Sequence, residues 1–145
     1  MSDTSKDFFL SYKEIFIMAH LLIVDDDTSI QEMLKIFFEN KKYKVTVASD
    51  GREAVYLQSK QPADIILTDI FMPEQEGLET IREIRDKYPK TKVIAMSGGA
   101  FYRAPNDYLT IAQKIGAHDI ICKPFELKEL YEKVTQLEAK NVDTS

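Results

Sequence analysis

HLLIVDDDTSIQEMLKIFFEN, residues 20–40, sets a continuous apolar run against three acids and then against a helical period. HLLIV (residues 20–24) has strand length and is apolar throughout, the pattern of a strand covered on both faces. Ile30, Met33, Leu34 and Phe37 recur at i, i+3, i+4 and i+7, which predicts an amphipathic helix over residues 28–40 capped by Asp27 or Thr28. Between them Asp25, Asp26 and Asp27 stack negative charge where a buried strand meets solvent. Carboxylates this close repel and raise one another's pKa unless a cation sits among them. The run alone reads as a helix-capping turn; with other groups converging on it, it reads as a cation or phosphate site.

The same alternation repeats along the chain. YKVTVA (43–48) reads as a strand, SDG (49–51) as a turn, and a short helix with Ala54, Val55 and Leu57 ends before Pro62. DIILTD (64–69) is an apolar strand ending on an acid, followed by MPEQEG and a helix turning Leu78, Ile81 and Ile84 inward, stopped near Pro89. KVIAMS (92–97) is a fourth strand, running into Gly98 and Gly99. Residues 105–115 place Tyr108, Leu109, Ala112 and Ile115 on one helix face, with Gly116 as the stop. DIIC (119–122) is a fifth strand, and residues 126–139 carry Leu127, Leu130, Val134 and Leu137 along one stripe before a polar tail. Five strands alternating with five helices, joined by right-handed βαβ connections, predict an α/β fold: one parallel sheet with helices on both faces.

Composition bounds the function. The chain has 145 residues and a formal net charge of −5, with no cluster of Lys and Arg, so direct nucleic-acid binding is not expected. One cysteine, Cys122, cannot form an internal disulfide, which suits a reducing cytoplasm. No apolar run approaches the roughly 20 residues of a membrane helix, so insertion is not expected either. Residues 1–19 read as an N-terminal extension, of which 1–17 are expected to be peripheral to a domain at 20–140, and 141–145 as a tail. FFLSYKEIFIMAH (8–20) lacks the basic start and small-residue cleavage site of a signal peptide.

In an open parallel sheet, functional groups gather at the carboxyl ends of the strands. Those ends carry Asp25, Asp26 and Asp27 on strand 1, Asp69 on strand 3, Ser97 on strand 4 and Lys123 on strand 5. Carboxylates, a hydroxyl and an ammonium together suit phosphoryl transfer on a hard divalent cation such as Mg²⁺, which takes oxygen ligands. Singly, each residue is an ordinary turn or cap; their joint placement at four strand ends is what that reading explains poorly. His20 and His118 lack metal-ligand spacing and read as structural, Cys122 as a small core residue, and the Asp run does not fit an EF-hand loop.

LLIVDDD, LTDIFMPEQEG, VIAMSG and GAHDIICKPF, in that order, resemble the receiver domain of two-component response regulators, over about residues 20–139. The resemblance implies a flavodoxin-like, doubly wound sheet of order 2-1-3-4-5 in a three-layer αβα arrangement. It implies Asp69 as phosphoacceptor, with Asp25, Asp26, Asp69 and the backbone carbonyl of Phe71 holding Mg²⁺, or Mn²⁺ in its place. Lys123 would pair with the phosphoryl group and Ser97 would hydrogen-bond it. The implied partners are a sensor histidine kinase or histidine phosphotransfer protein, a downstream protein target, and a second copy in a phosphorylation-dependent homodimer. The implied role is a signalling phosphoacceptor rather than an enzyme in the ordinary sense.

The sequence departs from the family pattern in two places. An aromatic residue usually stands three positions before the strand-5 lysine, and here it is Ile120. The stretch from Ser97 to Lys123 is about four residues longer than usual, with the surplus around GGAFYRAPN, where Phe101 or Tyr102 could take over a switching role. Phe71 beside the acceptor could shield a phosphoryl group from water. LLIVDDDTS also nearly fits the haloacid-dehalogenase phosphatase pattern, with Asp25 as nucleophile, Asp27 as general acid–base and Ser29 in the Thr place. That alternative lacks a second acidic pair after Lys123 and leaves Asp69 unexplained.

Overall fold

Five short runs of β-branched and aliphatic residues form the sheet, in a computed structural model that describes residues 18–70, 76–98 and 112–143. The strands are β1 (His20–Val24), β2 (Lys44–Ala48), β3 (Ile65–Asp69), β4 (Lys92–Gly98) and β5 (Asp119–Lys123). They lie in the order β2-β1-β3-β4-β5, and every pairing is parallel. The helices are α1 (Thr28–Asn40), α2 (Gly51–Lys60), α3 (Glu76–Lys87), α4, of which residues 112–115 are described, and α5 (Leu127–Asp143). This is the flavodoxin-like arrangement expected from the sequence.

The two sheet faces carry separate cores, which makes the three layers. Leu21, Ile23, Leu67, Ile94 and Met96 face Leu34 and Phe38 of α1 and Leu130, Val134 and Leu137 of α5. Leu22, Val24, Ile66, Val93, Ala95 and Ile120 face Ala54 of α2, Ile81 and Ile84 of α3, and Ala112 of α4. Adjacent residues of β1 thus serve opposite cores, which is why its sequence is apolar without alternation. Each fully buried aliphatic or phenyl side chain contributes roughly 1.5–3 kcal/mol relative to exposure.

Helix ends follow the local chemistry. Asp27 caps α1, its carboxylate accepting the backbone N–H of Ser29 at 2.8 Å and of Ile30 at 3.4 Å. Asp50 caps α2 by accepting the Glu53 N–H at 2.8 Å. Gly116, the predicted stop of α4, has φ +87° while the Ala117 N–H reaches back to the Ala112 carbonyl at 2.9 Å.

The amino-terminal rim of the sheet is fastened by polar side chains. The His20 ring lies 2.7 Å from the Thr46 hydroxyl and 3.3 Å from the Pro62 carbonyl, while its backbone N–H donates to Asp64 at 2.8 Å. Buried Gln58 donates to the Thr91 hydroxyl at 3.0 Å and accepts from the Ala63 N–H at 2.9 Å. His118 accepts the Val93 N–H at 3.0 Å. Both histidines are structural, as the sequence suggested.

Three local readings need correction. The buried stripe of α1 is Gln31, Leu34 and Phe38, while Met33 is 43% exposed. The helix is rotated from the apolar count because Gln31, though polar, turns inward to a backbone carbonyl. Cys122 is only partly buried, since β5 is an edge strand. α5 continues to Asp143, past the predicted end at 139. The readings that fell on residues 1–17, Phe71, Phe101 and Tyr102 lie outside the described residues.

Candidate functional site

The β1–α1 turn and the ends of β3 and β5 converge because parallel strands deliver their carboxyl ends to one rim. In register, Val24 lies beside Thr68, so Asp25 and Asp69 leave adjacent strands side by side. One carboxylate oxygen each from Asp25, Asp26 and Asp69 fall within 4.8 Å of one another. Asp25 and Asp69 are buried and Asp26 is exposed, so the cluster opens to solvent on the Asp26 side.

Lys123 reaches into this group from the end of β5. Its ammonium lies 2.6 Å from Asp25 Oδ2 and 3.4 Å from Asp69 Oδ2. Burial pulls the ammonium pKa down, but the hydrogen bond and charge of Asp25, with those of Asp69, outweigh it and hold it above the usual lysine value. The lysine is therefore fully protonated at neutral pH and supplies the positive charge that the acids need.

Asp25 is held at every polar atom. Its N–H donates to the Ala48 carbonyl at 3.1 Å, and its Oδ1 accepts the Asp27 N–H at 2.9 Å. Its carbonyl accepts from the Gln31 amide at 2.5 Å. Asp27 itself points away into the helix cap, so its carboxylate is engaged by backbone N–H groups rather than poised as an acid–base.

Ser97 sits at the end of β4, one residue past Met96, the register neighbour of Asp69. Its side chain is fully buried and its hydroxyl donates to the Gly98 carbonyl at 3.1 Å. Short distances thus join Asp25, Asp26, Asp69 and Lys123, whereas Ser97 is joined to them by register. Ile120 is 3% exposed and belongs to the α3/α4-side core, so an aliphatic group fills the position where an aromatic was looked for.

Gly77, which closes the LTDIFMPEQEG string, and Gln31, which the sequence left without a role, both bear on the site. Gly77, in the first turn of α3, packs on the end of β3: a Cβ there would lie 2.6 Å from Ile70 Cα and 2.7 Å from the Asp69 carbonyl oxygen. Gln31 completes the i, i+3, i+7 stripe with Leu34 and Phe38, a spacing that would have exposed it had polar residues been counted.

Three carboxylates within 4.8 Å offer an all-oxygen donor set, which fits a hard divalent cation such as Mg²⁺ and not a soft one. The Lys123 ammonium beside Asp69 suits an anion that presents negatively charged oxygens.

Residues 21–135 match the family model described as the response regulator receiver domain. The response regulator SaeR of Staphylococcus aureus is 35% identical over 121 residues, covering 83% of this chain and 50% of SaeR. A receiver domain protein from Clostridium thermocellum superposes with a TM-score of 0.78 at 25% identity, covering 88% of this chain and 100% of that one. The response regulator TrrA of Thermotoga maritima, solved in complex with Mg(2+)-BeF, has a TM-score of 0.71 at 32% identity, covering 83% of this chain and 99% of that one. The chain spans half or less of the length of the curated relatives it matches. Among the described residues no helix is long and apolar enough to cross a membrane.

Proposed function

This chain belongs to the response regulator receiver family, a family of signalling domains of two-component systems, and from that premise we propose that Asp69 accepts a phosphoryl group from the phosphohistidine of a sensor kinase or histidine phosphotransfer protein. The observation that carries the reading is the meeting of Asp69 with two further carboxylates and the Lys123 ammonium at one solvent-facing rim.

A carboxylate oxygen of Asp69 attacks phosphorus, the P–N bond to the donor imidazole breaks, and that bond's electron pair leaves with the ring nitrogen, which takes up a proton. Lys123 turns from Asp25 towards a transferring oxygen and neutralises part of its charge. Asp25, Asp26 and Asp69, with the backbone carbonyl of Phe71, would hold Mg²⁺, which when bound offsets negative charge on the transferring oxygens. The relative described with Mg(2+)-BeF supports that choice of cation. Ser97 exchanges its bond to the Gly98 carbonyl for one to the phosphoryl group. Contacts that differ between the two states bias a conformational equilibrium, which a downstream protein target reads. The setting is the cytoplasm, where the kinase domain and target are met.

The test is acetyl phosphate with Mg²⁺, followed by mass spectrometry of the acceptor peptide. Phosphate is expected on Asp69 and lost in Asp69→Asn. Label that persists in Asp69→Asn but vanishes in Asp25→Asn would overturn the reading in favour of a phosphatase-like nucleophile.

A further inference from the structure

We propose that Gln31 is a positioning residue that aims the Asp26 carboxylate into the cation site by holding the carbonyl between Asp25 and Asp26. The inference rests on the cation-dependent phosphoacceptor reading above. Gln31 is a polar side chain only 9% exposed, on the inward face of α1, and a buried amide must find partners. Its nitrogen finds two: the Asp25 carbonyl at 2.5 Å and the Ser49 hydroxyl at 3.2 Å.

Asp26 stands in contrast to Asp25. It is exposed, and among the described residues no hydrogen bond or ion pair holds its carboxylate. Its place within 4.8 Å of the other two acids is therefore set by its backbone. The peptide unit is planar, so pinning the Asp25 carbonyl oxygen fixes where the next N–Cα bond points, and the Asp27 N–H held on Asp25 Oδ1 at 2.9 Å restrains the peptide on the other side, so that the two together limit the exit direction of the Asp26 Cβ. The same amide ties that turn to the β2–α2 loop through Ser49, so two loops share one clamp. Groups behind metal ligands that orient them are commonly worth about 10–100-fold in metal affinity.

Gln31→Met keeps the length and apolar contact of the side chain and removes both hydrogen bonds. In an amide NMR titration of the full chain with magnesium chloride, this variant is expected to raise the dissociation constant by about tenfold. Ser49→Ala, which spares the Asp25 bond, is expected to stay within about twofold, as a neutral rim contact should. In an Asp26→Asn background the Gln31→Met change is expected to have little further effect, because the group it aims is already gone. Unchanged affinity in Gln31→Met, or losses from Gln31→Met and Asp26→Asn that simply add, would overturn the proposal. Gln31→Asn, too short to reach the carbonyl, gives the same readings should the Met variant fail to fold. A wild-type chain that binds no Mg²⁺ would instead overturn the cation-dependent reading itself.

Discussion

Replacing Gly77 by Ala sets two known effects against each other at one atom. In a helix interior Ala is better than Gly by roughly 0.5–1 kcal/mol and in a first turn by less, so propensity alone predicts a protein as stable or slightly more so. The added Cβ, however, would lie 2.6 Å from Ile70 Cα, 2.7 Å from the Asp69 carbonyl oxygen and 3.0 Å from the Ile70 carbonyl carbon. Carbon atoms in good contact sit about 3.5–4.0 Å apart, so α3 or the end of β3 must move by roughly 1 Å. The obstructing atoms are all backbone, with no rotamer to yield. Forced overpacking costs about 1–3 kcal/mol, and a clash with main chain belongs at the upper end. The net expectation is a loss of about 1–2 kcal/mol, or roughly 2–8 °C in Tm for a domain of this size. Urea unfolding followed by circular dichroism measures it, with Gly98→Ala as a comparison, since a Cβ there meets nothing within 4 Å. The displaced strand end also carries Asp69, so labelling by acetyl phosphate should slow in Gly77→Ala. A variant as stable as wild type, or more so, would show that the close approach does not constrain the acceptor strand.

Three further expectations follow from the same geometry. Lys123→Met should bind Mg²⁺ about three- to tenfold more tightly while accepting phosphate more slowly, because the ammonium 2.6 Å from Asp25 competes for the same oxygens; calorimetric titration showing weaker binding would contradict this. Burial holds the His20 pKa below its ordinary value of 6.5, so the unfolded chain takes up a proton before the folded one does. Stability contributed by the neutral ring is complete above pH 6.5 and is lost as pH falls from there through the folded pKa, with a slope of at most about 1.4 kcal/mol per pH unit. In His20→Gln that part of the unfolding profile should flatten. Tyr43→Phe removes the 2.5 Å bond from its hydroxyl to Glu138, which joins the start of β2 to α5, and should cost about 1–2 kcal/mol by urea unfolding.

The frame was legible because its signals are collective. A parallel strand serves two cores at once, so β1, β3 and β4 show as largely apolar runs, and the charged groups stand out at strand ends: Asp25 just after β1, Asp69 closing β3 and Lys123 closing β5. What escaped were single contacts that periodicity averages away. Counting apolar residues put Met33 inside and ignored Gln31, which turns inward beside Leu34 and Phe38 with its amide paired to a backbone carbonyl. Gly77 could be read as the end of the LTDIFMPEQEG string, but its nearness to Ile70 depends on how α3 docks, which no local pattern carries. Cys122 looked like core because DIIC is apolar, and its place at the sheet edge leaves it only partly buried.

All five strands point the same way, so the candidate reactive rim and the polar fasteners of the sheet lie at opposite ends. The residues that would make bonds to a ligand sit at one end of β1, β3, β4 and β5, and the clamps built on His20, Gln58 and His118 sit at the other, five residues or roughly 16 Å away. A lineage carrying this sheet can exchange side chains at the reactive end to retune lifetime or partner choice while the fasteners go on being inherited unchanged.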